Sequence, residues 1–218
     1  MADGPAPLLR AAGLEGQRGE RVLFRELELS LAPGDVVWLR GRNGRGKTTL
    51  LRLLAGLATP AAGTIEFRGT PLARAGAHWR QELVYIGHAN ALKDDLSATE
   101  ALRFVAGLRG HTPDAATTLK ALTRLGVAER ARAAVRTLSQ GQRRRVALAR
   151  LALPDPPALW LLDEPFDALD DVGIATLNGL LSEHAARGGA ALLTSHQALS
   201  LKDPAPRVFD LDPFAVIS

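Results

Sequence analysis

The run "GRNGRGKT" (residues 41–48) spaces its glycines, lysine and threonine as G-x-x-x-x-G-K-[ST], the pattern of a backbone loop that cradles phosphate. Its flanks decide whether the pattern carries that meaning. Immediately upstream, "DVVWLRG" (35–41) is a short apolar run stopped by glycine, and "RVLFRELELSLA" (21–32) alternates apolar and polar side chains from Leu27 to Leu31; both predict strands. Downstream, Leu50, Leu53, Leu54 and Leu57 recur at helical spacing, and Pro60 and Gly63 are expected to close that helix. Strand, glycine loop and helix form the setting the motif requires, whereas a glycine-rich turn with an exposed lysine requires neither flank. In that setting Gly41, Gly44 and Gly46 let the backbone aim N–H groups at phosphate oxygens, and the helix N-terminus adds its positive end. Lys47 is expected to reach the β- and γ-phosphates and Thr48 to offer its hydroxyl to Mg2+. The candidate ATP site is therefore Gly41, Arg42, Asn43, Gly44, Arg45, Gly46, Lys47 and Thr48, with Thr49 beside it.

Holding phosphate is not hydrolysis, which needs a metal carboxylate and a group that activates water. "LWLLDEP" offers both: "ALWLLD" (158–163) predicts a buried strand, at whose C-terminal end Asp163 can face Mg2+ through water and Glu164 can act as general base. Ligands of open α/β sheets bind at that strand edge. Ile174, Leu177, Leu181 and His184 then mark a helix, and "AALLTS" (190–195) another strand. From about residue 89 the character turns helical. Ser97 with Glu100 predicts a capping box for a helix through Leu102 and Val105, and Pro113 is expected to open another carrying Leu119, Leu122 and Leu125 up to Gly126. "TLSQGQRRRVALAR" (137–150) puts a flexible turn before a helix whose first turn is expected to carry Arg143, Arg144 and Arg145. The helix macrodipole is already positive there and disfavours each by a few tenths to ~1 kcal/mol, so an anion or acidic neighbour is expected beside them.

Composition narrows the classes. A chain of 218 residues, 46% apolar, can bury one core or a core with a small inserted subdomain. The net charge of +4 suits a phosphate ligand, an anionic membrane surface or nucleic acid equally. A nucleic-acid patch is not expected, because the basic stretch lacks interleaved aromatics and any base-reading module. With no cysteine there is no disulfide, no thiolate metal site and no Cys-x-x-Cys-His attachment of heme. "MADGPAPLLR" lacks the features of a secretory signal, and no run approaches the ~18 apolar residues of a membrane span. If the protein works at a membrane, another chain is expected to supply the membrane part.

With the phosphate loop at 41–48, "LSQGQ" at 138–142, "LLDEP" at 161–165, "DALD" at 167–170 and "TSHQ" at 194–197, the chain resembles, over nearly its whole length, the nucleotide-binding subunits of ABC transporters. That resemblance implies an α/β fold: a P-loop NTPase core of ABC ATPase type with an N-terminal antiparallel β region and an inserted helical subdomain. Residues 1–218 would be a single ATP-binding domain, with 1–88 and 154–218 as core and 89–153 as helical subdomain bearing the signature. It also implies a head-to-tail homodimer in which Ser139 Oγ and the amides of Gly141 and Gln142 complete the γ-phosphate site of the other subunit. His196 is expected to touch the γ-phosphate and help hold the attacking water, and Asp170 to link the two sites.

Two positions depart from the family pattern. His88 in "LVYIGH" stands where a glutamine usually senses Mg2+ and couples to the membrane subunit, which makes it a candidate nucleotide and metal contact. No aromatic lies near residue 18 to stack on adenine, leaving Arg18, or else Phe24, for that role. Within the family, "VYIGHANALKDDLSATEALRF", "QRRRVALARL" and "LWLLDEPFDALD" are most similar to the ATP-binding subunits of heme-export, or cytochrome c maturation, systems. These imply a separate integral-membrane permease, cytochrome c maturation proteins as partners, and a peripheral place on the cytoplasmic face of the bacterial inner membrane. An ABC exporter of another small solute is the alternative. A DNA-repair or ribosome-associated ABC ATPase is less well matched, for the chain has neither a long coiled coil nor a second cassette.

Overall fold

The computed structural model describes residues 6–76, 78–156, 158–201 and 203–216; the start of the N-terminal stretch, through residue 5, lies outside them. The chain opens with an antiparallel hairpin, β1 (Leu9–Arg18) and β2 (Arg21–Leu31). Leu27, Leu29 and Leu31 point into the core, as their alternation predicts. A bulge around Glu26, whose φ is 51°, resets the register so that Phe24 faces Gly16 and is also buried. β4 (Ala62–Phe67) and the short β5 (Thr70–Pro71) complete a four-stranded sheet in the order β2-β1-β4-β5.

The second sheet is parallel throughout and runs β6 (Leu83–Ile86), β7 (Leu159–Leu162), β8 (Ala190–Thr194), β3 (Val36–Arg40) and β9 (Arg207–Asp210). Every residue of β7 and β8 is buried, which explains why both read as unbroken apolar runs. Their two faces meet different cores. Leu159, Leu161, Ala190 and Leu192 pack with the antiparallel sheet and with α1 (Lys47–Leu54). Trp160, Leu162, Ala191 and Leu193 pack with the helices on the other side. There Trp160 stacks on His184 at 3.9 Å between centroids, and burial pushes the His184 pKa down to about 4, so the ring is neutral.

Those helices follow the short α2 (His78–Gln81) and β6: α3 (Ala98–Gly107), α4 (Ala115–Arg124), α5 (Gln140–Leu148) and, after β7, α6 (Asp171–Ala186). The Ser97–Glu100 capping box is present. Three expectations need correction. Helix α1 stops at Leu54, because Gly56 at φ 62° turns the chain and the Gly56 and Leu57 amides bond back to Leu53 and Arg52, a Schellman end that only a residue tolerant of positive φ closes cheaply. Leu57 is accordingly exposed, outside the helix. Helix α4 is opened by the Asp114 carboxylate, which accepts the Thr117 N–H, and not by Pro113; its Leu119 is half exposed while Leu122 is buried. Arg143, Arg144 and Arg145 sit in the second turn of α5, since Ser139 is its N-cap and Gln140 its first helical residue. The dipole penalty expected for them is therefore largely avoided. Among the described residues no helix is long and apolar enough to cross a membrane.

Candidate active site

Because β3, β8 and β7 are neighbours running in one direction, the loops after them emerge side by side. These loops are the phosphate loop, Ser195–His196 and Asp163–Glu164. They border a cleft of about 540 Å³ lined by Asn43, Gly44, Gly46, Lys47, Thr48, Thr49, His88, Asp163, Glu164 and His196, with Arg18, Arg21 and Leu23 from the antiparallel sheet. Gly41, Gly44 and Gly46 have φ of 142°, 80° and 103°. Gly46 is constrained twice, for a Cβ there would also stand 3.1 Å from the Phe24 ring. Gly46 N-caps α1 without any side-chain cap, which leaves first-turn N–H groups for a ligand. The Lys47 ammonium donates to the Gly41 carbonyl at 2.6 Å. The Arg42 side chain leans away from this cleft, with Nε 3.8 Å from Asp212, whose carboxylate also accepts the Arg42 N–H. Arg45 is in the loop but does not line the cleft.

The acidic end is wired by hydrogen bonds. Asp163, buried at 3% exposure, accepts Thr48 Oγ–H at 2.8 Å through one oxygen and Thr194 Oγ–H at 3.0 Å through the other. Thr194 Oγ in turn accepts the Glu164 N–H at 2.8 Å. The Glu164 carboxylate accepts the His196 N–H at 3.1 Å, and its other oxygen is 3.6 Å from His196 Nε2. Thr194 is a member of this chain that sequence reasoning missed; a threonine ending the apolar run "AALLT" was the available signal. A buried carboxylate beside a threonine hydroxyl fits Mg2+, a hard cation that keeps waters and takes phosphate oxygens as ligands. His88 lines the same cleft but is largely exposed, with Nδ1 3.8 Å from Asp167.

Other expected residues lie apart. Ser139, Gly141 and Gln142 begin α5 and do not line this chain's cleft. Ser139 Oγ accepts the Gln142 N–H, and the Gln142 side chain accepts the Ser139 N–H. Asp170 N-caps α6 by accepting the Gly173 N–H and receives Arg145 as well. The neighbours of the three arginines are thus mainly backbone: Arg143 donates to the Leu138 and Arg136 carbonyls, and Arg145 to Leu125. Phe24 is fully buried and is not available to stack on a base.

A phosphate loop, an acidic pair and a histidine on adjacent loops of a parallel sheet, with a helical insert, are the marks of an ATP-binding cassette. The ABC transporter family model matches residues 24–167. The chain is 47% identical, over 96% of its own length and 97% of the relative's, to the cytochrome c biogenesis ATP-binding export protein CcmA of Aromatoleum aromaticum. It is 48% identical to the protein of that name from Methylococcus capsulatus, over 93% and 96%. The chain therefore belongs to the ABC transporter family, within the group of these CcmA proteins, and is an ABC-type ATPase. Solved structures agree on the fold. An ABC transporter ATP-binding protein from Pyrococcus furiosus superposes with a TM-score of 0.82 at 24% identity, covering 95% of this chain and 99% of that one. A dimeric ATP-binding cassette in a post-hydrolysis state with ADP and Pi superposes at 0.75 and 22% identity, covering 87% and 88%.

Proposed function

We propose that this chain is the ATP-hydrolysing subunit of a membrane complex that energises heme handling in c-type cytochrome biogenesis, by heme export or by release of a heme-loaded chaperone. The observation that carries the enzymatic half is the continuous chain Thr48–Asp163–Thr194–Glu164–His196 along one wall of the cleft. Lys47 leaves its loop carbonyl for the β- and γ-phosphates, which the amides at the start of α1 also hold. Thr48 and Asp163 would hold Mg2+ beside the phosphates. Bound there, Mg2+ neutralises phosphate charge. Glu164, kept in place by its own amide and by the His196 N–H, takes a proton from water as the water oxygen attacks the γ-phosphorus and the bond to the β–γ bridging oxygen breaks, leaving ADP and phosphate. His196 holds the γ-phosphate side of that water, and His88, which lines the same cleft, would sense the metal. Arg18 offers its planar guanidinium to adenine.

Residues 1–218 act as one ATP-binding domain, with 1–88 and 154–218 as core and 89–153 as helical subdomain. Two copies associate head to tail, so that Ser139, Gly141 and Gln142 serve the partner's nucleotide; their location on α5, away from their own cleft, supports this. The complex is completed by a separate integral-membrane permease and cytochrome c maturation proteins, with this chain peripheral on the cytoplasmic face of the bacterial inner membrane. The similarity to CcmA proteins supports that half.

The test is genetic. A strain whose only copy carries Lys47→Ala is expected to lose mature c-type cytochromes, read by heme staining, while b-type cytochromes persist and heme-loaded chaperone accumulates. Normal c-type cytochromes in that strain would overturn the physiological reading and leave the ATPase standing.

A further inference from the structure

Arg144 is the most fully engaged side chain near the cleft, and the catalytic scheme above leaves it without a role. It is 3% exposed, and its hydrogen bonds all go to uncharged oxygens. Nη2 donates to the carbonyls of Asp163 at 3.0 Å and Glu164 at 2.5 Å. Nε donates to Pro165 O at 3.3 Å, and Nη1 to Gly87 O at 3.0 Å and Asn90 Oδ1 at 3.1 Å. Three consecutive carbonyls, 163 to 165, can converge on one guanidinium only where the chain curls tightly. Glu164, at φ 48°, is the residue that curls it, in a region that non-glycine residues enter only when their surroundings hold them there. A planar cation with donors in a rigid fork suits that task, and a lysine point charge does not. Burial pulls the arginine's pKa down, opposed by the nearby carboxylates of Asp167, Asp163 and Glu164; even so, an arginine stays charged in proteins.

The geometry points to Arg144 as a positioning residue that holds the Glu164 backbone in its left-handed turn and ties it to the Gly87–Asn90 loop and to helix α5. It does not line the cleft and acts through Glu164, so the inference rests on the reading of Glu164 as the base. Because Ser139 caps the same helix α5, the same side chain makes the turn at Ser139–Gln142 and the catalytic turn one body.

The experiment uses the full chain, with bound nucleotide counted so that turnover is expressed per competent site. Arg144→Gln is expected to keep the Kd for ATP within about threefold and to lower kcat at least about tenfold. Added to Glu164→Gln, it is expected to change the residual turnover by less than about twofold, because the group it positions is already gone. An unchanged kcat, or a further loss in the Glu164→Gln background equal to that in the parent, would overturn the inference; general damage produces the second pattern. Full turnover by Glu164→Gln alone would instead strike the reading of Glu164. Should Arg144→Gln fail to bind one nucleotide per chain, Asn90→Ala removes one anchor without opening the core. It is expected to lower kcat about threefold at constant Kd, and an unchanged kcat there overturns the inference.

Discussion

Helix α1 begins at Gly46 with no side chain capping it, whereas α5 begins at Ser139 inside a complete capping box with Gln142. Both starts are rich in small or polar residues and both are read as phosphate contacts, yet they are finished in opposite ways. At α1 the backbone donors are left for a ligand, and Lys47 is held nearby on a loop carbonyl. At α5 the Gln142 amide, one of the donors expected to serve a partner's nucleotide, is already given to Ser139 Oγ, and the Ser139 N–H to the Gln142 side chain. The phosphate loop is built to bind by itself. The turn at Ser139–Gln142 is capped by its own residues; to serve a partner's phosphate, as proposed, it would exchange that cap, worth about 1 kcal/mol, for a better acceptor.

The largest expected effect tests the open end. Lys47→Ala is expected to lose both ATP affinity and hydrolysis, while Glu164→Gln keeps affinity and loses turnover by roughly 10²-fold or more. Nucleotide binding and phosphate release on purified protein measure both. Wild-type turnover in Glu164→Gln would remove the base from its place.

The second prediction asks whether the closed end belongs to another chain's site. Neither a Lys47→Ala chain nor a Ser139→Arg chain is expected to hydrolyse ATP alone, because each spoils both composite sites of its homodimer. Mixed, they form a heterodimer with one intact site, and part of the ATPase activity is expected to return. No recovery, in a mixture shown by size-exclusion to form dimers with Mg-ATP, would assign Ser139 to its own helix only.

What was legible in the sequence follows the same division. The phosphate loop and Asp163–Glu164 could be read because each motif is contiguous and sits at the end of an apolar strand. Leu57 misled, since helical spacing continued past Gly56, where backbone conformation and not hydrophobicity ends the helix. Arg144 could not be read at all: its partners lie 19 to 57 residues away, and nothing local distinguishes it from Arg143. An anion or acidic neighbour was expected beside the arginines on charge alone; Asp170 meets Arg145 and Asp94 stands 3.9 Å from Arg143, while most of their hydrogen bonds go to peptide carbonyls.

A smaller effect isolates the cap. Ser139→Ala removes the acceptor for the Gln142 amide and is expected to lower unfolding stability by about 1 kcal/mol, with ATP affinity of the single chain unchanged because its own cleft is untouched. Denaturant melts beside nucleotide titrations separate the two. Weakened binding by the monomer would mean that the two helix starts are not independent.

The smallest effect concerns the base. If the open end of α1 and Lys47 supply most of the affinity, the purine should matter little. The cleft wall toward the antiparallel sheet offers Arg18, Arg21 and Leu23, while Phe24 is sealed beneath Gly46 and Gly16. Without a ring under adenine, stacking worth roughly 1 kcal/mol is left to a guanidinium that stacks on either purine. GTP is therefore expected to bind within about tenfold of ATP. Arg18→Ala is expected to weaken both alike, whereas Lys47→Ala weakens them far more. Competition titration gives the ratio directly, and a hundredfold preference for ATP would show that adenine is read by contacts other than these three residues.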